Sequence, residues 1–463
     1  YIRFHGIFDD NIQIYQENSE GQPVLNFLYA DLLTDFLISQ GFKLYIELGL
    51  MPSALKKYDI FVLSRSSNYS VAAQQEKWQQ LVSGSIQHWI TRYGLDTVRT
   101  WKFTTMGIHV PVFTEVTFDE FYTHYQSTWQ AVKSVDPLLQ FGGPGGFASI
   151  VWAADILPDF FRFAEDHGCF PDFITTQDYP HQNVEDDMEF MNTSISQDFL
   201  PTTLSGDRHF TRNLCTRLCQ LMRAVDREHT PIWLEECNST IWQRLSGDTC
   251  YKAAWLCHSI AENYDSVEAF GYWLLTDFIE ERGPFNRLFH GGYGLFTFNG
   301  IPKAGWQALN LLHSTGDQVL YSGDWYLVTR SARQLQILLF HYCDYDSLYR
   351  HRYRKLEYPE EAYRVFRTSN VMDVRIQLNS LVPQPHRMQQ FIIDREHGSS
   401  FDQWLRWGAP NDLSVADVEQ LHRASEPGYR STLLCPDEKG EFVLQSRLQP
   451  HEVQLFIIEL NNG

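Results

Sequence analysis

Phe42-Lys43-Leu44-Tyr45-Ile46-Glu47-Leu48-Gly49 is a short, largely apolar run closed by glycine, and it follows directly on a helical pattern. Leu25, Leu28, Leu32, Phe36 and Leu37 recur at helical spacing, and Gly41 stands just beyond them as a stop signal. The same succession repeats along the chain. Further strands are expected at 1–8, 97–104, 138–141, 172–178, 231–236 and 267–276, with amphipathic stretches such as 118–135 and 210–227 between them. Strands alternating with helices predict a parallel sheet in an α/β fold. Seven strands are one short of a (β/α)8 TIM barrel, and the missing one would be the first. Residue 1 is Tyr, and Tyr1 to Phe8 reads as a strand already under way, so a segment upstream is expected to be absent.

The texture changes after Leu312. Trp325 to Val328, Leu335 to Phe340, Val374 to Leu378 and Val453 to Ile457 read as strands separated by polar turns. They predict an antiparallel β-sandwich domain over 316–463, with a helical insert at 415–424, behind a barrel domain over 1–315.

Composition narrows the function classes. The 463 residues carry 37 Lys+Arg against 57 Asp+Glu, a net charge of −20. Such a surface repels a phosphate backbone, so no nucleic acid is expected to bind through this chain itself. No apolar run approaches the ~18 residues that a membrane span needs. The eight cysteines form no C-x-x-C pair, so scattered reduced thiols are expected rather than a zinc site. Gly142-Gly143-Pro144-Gly145-Gly146 lacks the ending of a phosphate loop and reads as a tight strand-end turn. Arg350-His351-Arg352-Tyr353-Arg354-Lys355 reads as a solvated face balanced by Glu357, Glu360 and Glu361.

Barrel chemistry lies at the carboxyl ends of the strands. Those ends carry His5, Asp9 and Asp10, then Glu47, Thr104 and Thr105, then Gln177, Asp178 and Tyr179. Glu235, Glu236 and Asn238 follow, and finally Asp277, Glu280 and Glu281, with Trp233 and Trp273 nearby. Carboxylates and aromatics around one mouth suit glycoside hydrolysis, in which two carboxyl groups flank the scissile bond.

Specific stretches carry a resemblance. They include Arg3-Phe4-His5-Gly6-Ile7-Phe8, Glu47-Leu48-Gly49-Leu50-Met51-Pro52, Phe141-Gly142-Gly143-Pro144, Leu234-Glu235-Glu236-Cys237-Asn238-Ser239 and Phe289-His290-Gly291-Gly292-Tyr293-Gly294-Leu295. Leu448-Gln449-Pro450-His451-Glu452-Val453 extends the match to the C-terminal part. Along essentially its whole length the chain resembles family 39 of the glycoside hydrolases, whose best known members are retaining β-xylosidases. The resemblance implies a barrel plus β-sandwich, with this chain starting at the family's second strand. No cofactor and no metal are expected. Glu236 falls on the nucleophile position, and His5, Tyr179, Gln177, Trp273, Glu281 and His290 would surround the sugar.

The resemblance also has gaps. Trp101-Lys102-Phe103 matches the lead-in to the family's Trp-Asn-Glu-Pro-like motif, but Gly107 and Ile108 stand where its Asn and acid/base Glu belong. Gln177-Asp178-Tyr179-Pro180 replaces a His-x-Tyr-Pro-like turn. Isoleucine donates no proton, and Glu235, next to Glu236 on a strand, is expected to point to the opposite face. Glu115 and Asp178 are the candidates to swing in as donors. The expectation is therefore a sugar-binding sensor module, for xylose or xylo-oligosaccharides, of a cytoplasmic bacterial regulator. Family 39-like modules are fused by resemblance to AraC-type DNA-binding regions, which would supply the DNA contact from an absent N-terminal region. A homodimer is compatible with this reading, and a membrane partner is not expected. The alternative is an active β-xylosidase with Glu236 as nucleophile.

Overall fold

The structure is a computed structural model and describes residues 1–61, 68–148, 156–183, 202–241, 243–278, 287–351, 356, 358–367 and 370–460. Seven parallel strands make one nearly closed barrel sheet. They are β1 (Ile2–His5), β2 (Leu44–Glu47), β3 (Lys102–Thr104), β4 (Gln140–Phe147), β5 (Phe173–Asp178), β6 (Ile232–Cys237) and β7 (Ala269–Tyr272). They stand side by side in chain order, each hydrogen-bonded to the next. Every residue of β2, β5 and β6 is buried. Parallel strands covered by helices outside and by one another inside have to be apolar or paired on both faces.

The helices around the sheet are α1 (Leu28–Ser39), α2 (Gln75–Tyr93), α3 (Phe118–Val135), α4 (Ile156–Asp166), α5 (Phe210–Arg223), α6 (Cys250–Asn263) and α7 (Ala304–His313). α3 starts where Thr117 and Glu120 cap each other's backbone N–H groups. Trp78 and Trp89 of α2 are fully buried in the core between helices and sheet.

The helix expected before Gly41 is present as α1, and two other expectations need correction. Leu28, Leu32 and Phe36 of α1 face outward and are exposed, whereas Ala30 and Thr34 are buried. Side chains bridge α1 to α2: Thr34 Oγ1 is 2.6 Å from the Tyr93 hydroxyl, and Asp31 lies 2.8 Å from His88 Nε2. The strand expected from residue 97 begins only at Lys102, because Leu95–Val98 forms a short helix after Gly94, whose φ is +85°. The Gly142–Gly146 segment is strand, not turn, since β4 continues through it to Phe147. Glycine is required there by space: a Cβ on Gly142 would lie 2.3 Å from the Phe173 ring and one on Gly143 2.6 Å from Tyr125.

Beyond α7 the sheets are antiparallel. β8 (Gln318–Gly323), β9 (Tyr326–Ser331), β10 (Gln334–Phe340), β11 (Met372–Leu378), β12 (His386–Ile393), β13 (Gly428–Leu434), β14 (Phe442–Leu448) and β15 (Val453–Glu459) follow in sequence. Six of them form one sheet in the order β8-β9-β10-β15-β12-β13, and β11 pairs with β14 in a second. Ile337, Leu339, Phe456 and Ile458 of the first sheet bury against Val374, Leu378, Leu444 and Leu448 of the second, as in a sandwich. The expected helical insert is present as Val415–Ala424, preceded by the helix Ser400–Arg406. Phe401, Trp404 and Leu421 of these helices pack on Leu245, Phe289 and Ile301, which follow β6 and β7. Among the described residues no helix is long and apolar enough to cross a membrane.

Candidate active site at the barrel mouth

Alternation along the strands sets which side chains enter the barrel. Arg3 and His5 of β1 point inward, as do Tyr45 and Glu47 of β2, and they meet. Arg3 Nη2 donates to Glu47 Oε2, His5 Nδ1 lies 2.8 Å from the same oxygen, and His5 Nε2 is 2.8 Å from the Tyr69 hydroxyl. Two partners outweigh the cost of burial and hold the Glu47 carboxyl at about 2.

β6 departs from simple alternation. Leu234 pairs with Thr176 and Glu236 with Gln177, so β6 spends two residues where β5 spends one. This is a β-bulge with Glu235 as the extra residue. Trp233 faces inward against Tyr45 and Phe173, Leu234 joins the outer core, and Glu235 returns inward. The bulge then turns Glu236 inward as well. The expectation that adjacent glutamates point to opposite faces is therefore wrong here: both reach Arg3. Arg3 Nη1 donates to Glu236 Oε1 at 2.5 Å, and Arg3 Nη2 lies 4.0 Å from Glu235 Oε2. Tyr179 donates to Glu236 Oε2 at 3.1 Å, and Tyr45 donates to Glu235 Oε2 at 2.5 Å.

One guanidinium thus serves three carboxylates. Burial opposes the Arg3 charge, but Glu236, Glu47 and Glu235 outweigh it and raise its pKa well above the usual value. Glu235 is the least compensated. Desolvation, reinforced by Glu236 and Glu47 and opposed by Arg3 and Tyr45, pushes its carboxyl up to about 7. Its Oε1 faces β4, where a Cβ on Gly145 would lie 3.0 Å both from that oxygen and from the Cα of Gly107.

Around Glu236 the structure gathers several of the expected residues. Tyr179 touches it, Gln177 is its register partner on β5, and His5 is linked to it through Glu47 and Arg3. Trp273 meets the His5 ring edge-on at 5.8 Å. His290 belongs to an adjoining buried cluster: its Nε2 is 3.9 Å from Asp277, which pairs with Lys303 at 2.5 Å, and Lys303 also reaches Asp248 at 2.6 Å. Asn238 ties this side to the mouth by donating to the Trp273 carbonyl and accepting from Lys252. Glu280 and Glu281 lie outside the described residues, as does most of the 350–355 basic run.

Ile108 is wholly buried among apolar neighbours, and its N–H donates to the Pro144 carbonyl at 2.9 Å. Of the suggested substitute donors, Asp178 turns away from the mouth. Asp178 faces the helices and accepts from Thr211 at 2.6 Å, with burial raising its pKa to about 7. Glu115 is exposed on the surface. His109, one residue on, packs against Phe147 at 4.8 Å and feels the charges of Glu236 and Glu47. Desolvation outweighs those charges and holds its pKa at about 4, so the ring is neutral at pH 7.

Sequence reading did not single out Arg3, Tyr45, Tyr69 or His109 for the site. Arg3 and Tyr45 had a usable signal, since each lies two residues before a strand-end candidate and so shares its face. Nothing in the local sequence announces the bulge.

Comparison with known proteins agrees with the fold. The family model for glycosyl hydrolases family 39 matches residues 1–438. A β-xylosidase from Geobacillus stearothermophilus is 31% identical over 344 residues, which is 71% of this chain and 65% of that protein. An uncharacterized HTH-type transcriptional regulator from Staphylococcus aureus is 25% identical over 199 residues, 40% of this chain and 24% of that protein. The chain spans less than two thirds of the length of the curated β-xylosidases that it matches. A crystal structure of a monomeric β-xylosidase from Caulobacter crescentus shares the fold, with a TM-score of 0.82 at 23% identity, covering 99% of this chain and 89% of that one. With a barrel, a sandwich and a family match over nearly the whole sequence, this chain belongs to family 39 of the glycosyl hydrolases.

Proposed function

We propose that this chain acts on β-xylosides as a retaining glycosidase in which Glu236 is the nucleophile. The observation that carries the reading is the setting of Glu236: at the barrel mouth, ion-paired with Arg3 and hydrogen-bonded by Tyr179. The similarity to curated β-xylosidases supports the substrate class. In the first step Glu236 attacks the anomeric carbon, the glycosidic bond breaks, and its electron pair leaves on the departing oxygen. Water then cleaves the glycosyl ester. A sugar alkoxide leaves poorly without a proton, and a placed general acid is worth roughly 10²–10⁴-fold. With Ile108 at the family's acid position, substrates with good leaving groups are favoured.

The test compares aryl β-xylosides of graded leaving-group acidity with xylobiose. The reading expects nitrophenol release that disappears in E236Q, and xylose release from xylobiose slower by about 10²–10⁴-fold. Absence of turnover on every substrate overturns it.

A second reading is favoured by Ile108: a sugar-sensing module of a bacterial, AraC-type regulator acting in the cytoplasm. The similarity to an HTH-type regulator supports it. It expects stoichiometric xylobiose binding with no product from any substrate.

A further inference from the structure

Away from the mouth, His209, His258 and Glu262 bring three ligand-type atoms within 4.8 Å of one another. This is the sole such cluster among the described residues. His258 and Glu262 stand four residues apart on one face of α6, and His209 is the N-cap residue of α5. His209 Nδ1 is hydrogen-bonded to Glu262 Oε1, and His258 Nε2 lies 3.8 Å from Glu262 Oε2.

A hydrogen-bonded trio at a helix junction would be the ordinary reading. Three observations go beyond it. His258 is only 2% exposed and stacks on Tyr342 at 4.9 Å, yet its Nδ1 has no partner, and its Nε2 has the Arg208 carbonyl at 3.2 Å. Its Nε2, the ring nitrogen 3.8 Å from Glu262, would exchange the Arg208 carbonyl for a bound cation. Beside Glu262 opens a cavity of about 30 Å³, lined also by Asp207, Thr211, Ser259 and Asp344. It has room for one water molecule. The neighbouring cation is already engaged: the Arg208 guanidinium lies over the Tyr342 ring at 4.7 Å and pairs with Asp344 at 3.5 Å.

We propose that His209, His258 and Glu262 form a divalent transition-metal site of the zinc type, with a water from the adjoining cavity in the fourth position. Two imidazoles and one carboxylate are a donor set that zinc accepts readily. Tetrahedral bonds of about 2.0–2.1 Å space the ligand atoms roughly 3.3 Å apart. The 3.8 Å His258–Glu262 separation needs only a small side-chain adjustment to meet that spacing. The site is structural. His258 packs on Phe340 and Tyr342, so an ion here ties the barrel helices to the start of the sandwich.

The experiment uses the 463-residue chain without a histidine tag, stripped with a chelator and offered Zn²⁺ alone or Co²⁺ alone. One equivalent should remain after dialysis, cobalt should show the intense visible absorption of a tetrahedral site, and the melting temperature should rise. His209 is half-exposed, so H209A is expected to keep the fold, which circular dichroism checks. In H209A metal affinity should fall at least about 10–100-fold, the loss found even for outer-sphere partners. No retained metal, or equal retention by H209A, overturns the proposal.

Discussion

At the scale of single residues, Arg3 carries one positive charge among Glu47, Glu235 and Glu236, and the proton on Glu235 relieves the excess. Its folded pKa of about 7 lies above the ordinary carboxyl value of 4.5. Between those two values the folded chain holds more protons than the unfolded one, so stability falls as pH rises through this window. The full effect for a group this buried is on the order of 3 kcal/mol. In E235Q the amide keeps an oxygen for the Tyr45 hydroxyl and never ionises. We expect E235Q to melt close to the parent at pH 5 and clearly above it at pH 8. Thermal melts across that range check this, and parallel pH profiles for the two proteins would refute it. Because Glu235 and Glu236 share Arg3, sugar affinity in E235Q should also lose pH dependence between pH 5 and 8, as calorimetric titration can show.

At the scale of elements, glycine separates positions where conformation matters from positions where space does too. Gly41, just past α1, has a φ of +81° with nothing near an added Cβ. Gly291 has a φ of +80°, but a Cβ there would meet Arg244 C at 2.2 Å and Leu245 N at 2.5 Å. G41A should cost about 1 kcal/mol. G291A adds roughly 1–3 kcal/mol of overpacking to that strain. A larger drop in melting temperature for G291A than for G41A is the expected outcome. The same contrast explains what the sequence could reveal. Gly41 as a helix stop and the apolar strand that follows are local signals, so the alternation of strands and helices was legible. The fate of α1's apolar stripe was not, because burial depends on which neighbours arrive. The bulge in β6 was also hidden: it exists only in the register between β5 and β6, and it decides that Glu235 shares the site with Glu236. His5, Tyr179 and Glu236 were legible as strand-end residues. Arg3 and Tyr45 sit a layer deeper, where a strand-end search does not look.

At the scale of the whole molecule, part of the seam between barrel and sandwich is an aromatic cluster, beside the Arg208–Asp344 ion pair. Tyr251 of α6 packs against Tyr345 at 4.9 Å, Phe366 at 4.7 Å and His451 at 5.5 Å. His451 is 1% exposed, its ring lies 4.3 Å from Phe366, and neither ring nitrogen has a partner. Desolvation, helped by the nearby His341, lowers its pKa to about 3. A lowered histidine pKa stabilises the fold above the ordinary value of 6.5. That contribution is lost as pH falls from 6.5 toward 3, at about 1.4 kcal/mol per pH unit. His124, buried in α3 with its pKa also held at about 3 by desolvation, adds a similar loss inside the barrel. The two sites are separable by mutation. His451 has a φ of +66°, a conformation that asparagine tolerates well, so H451N keeps the turn while removing the titration. H451N is expected to be less stable than the parent at pH 7, where it loses aromatic packing at the seam. Between pH 6.5 and 4 its melting temperature should fall with a shallower slope, narrowing the gap to the parent as the pH drops. Equal slopes would mean that His451 gains a proton partner in solution and that acid acts on the barrel alone.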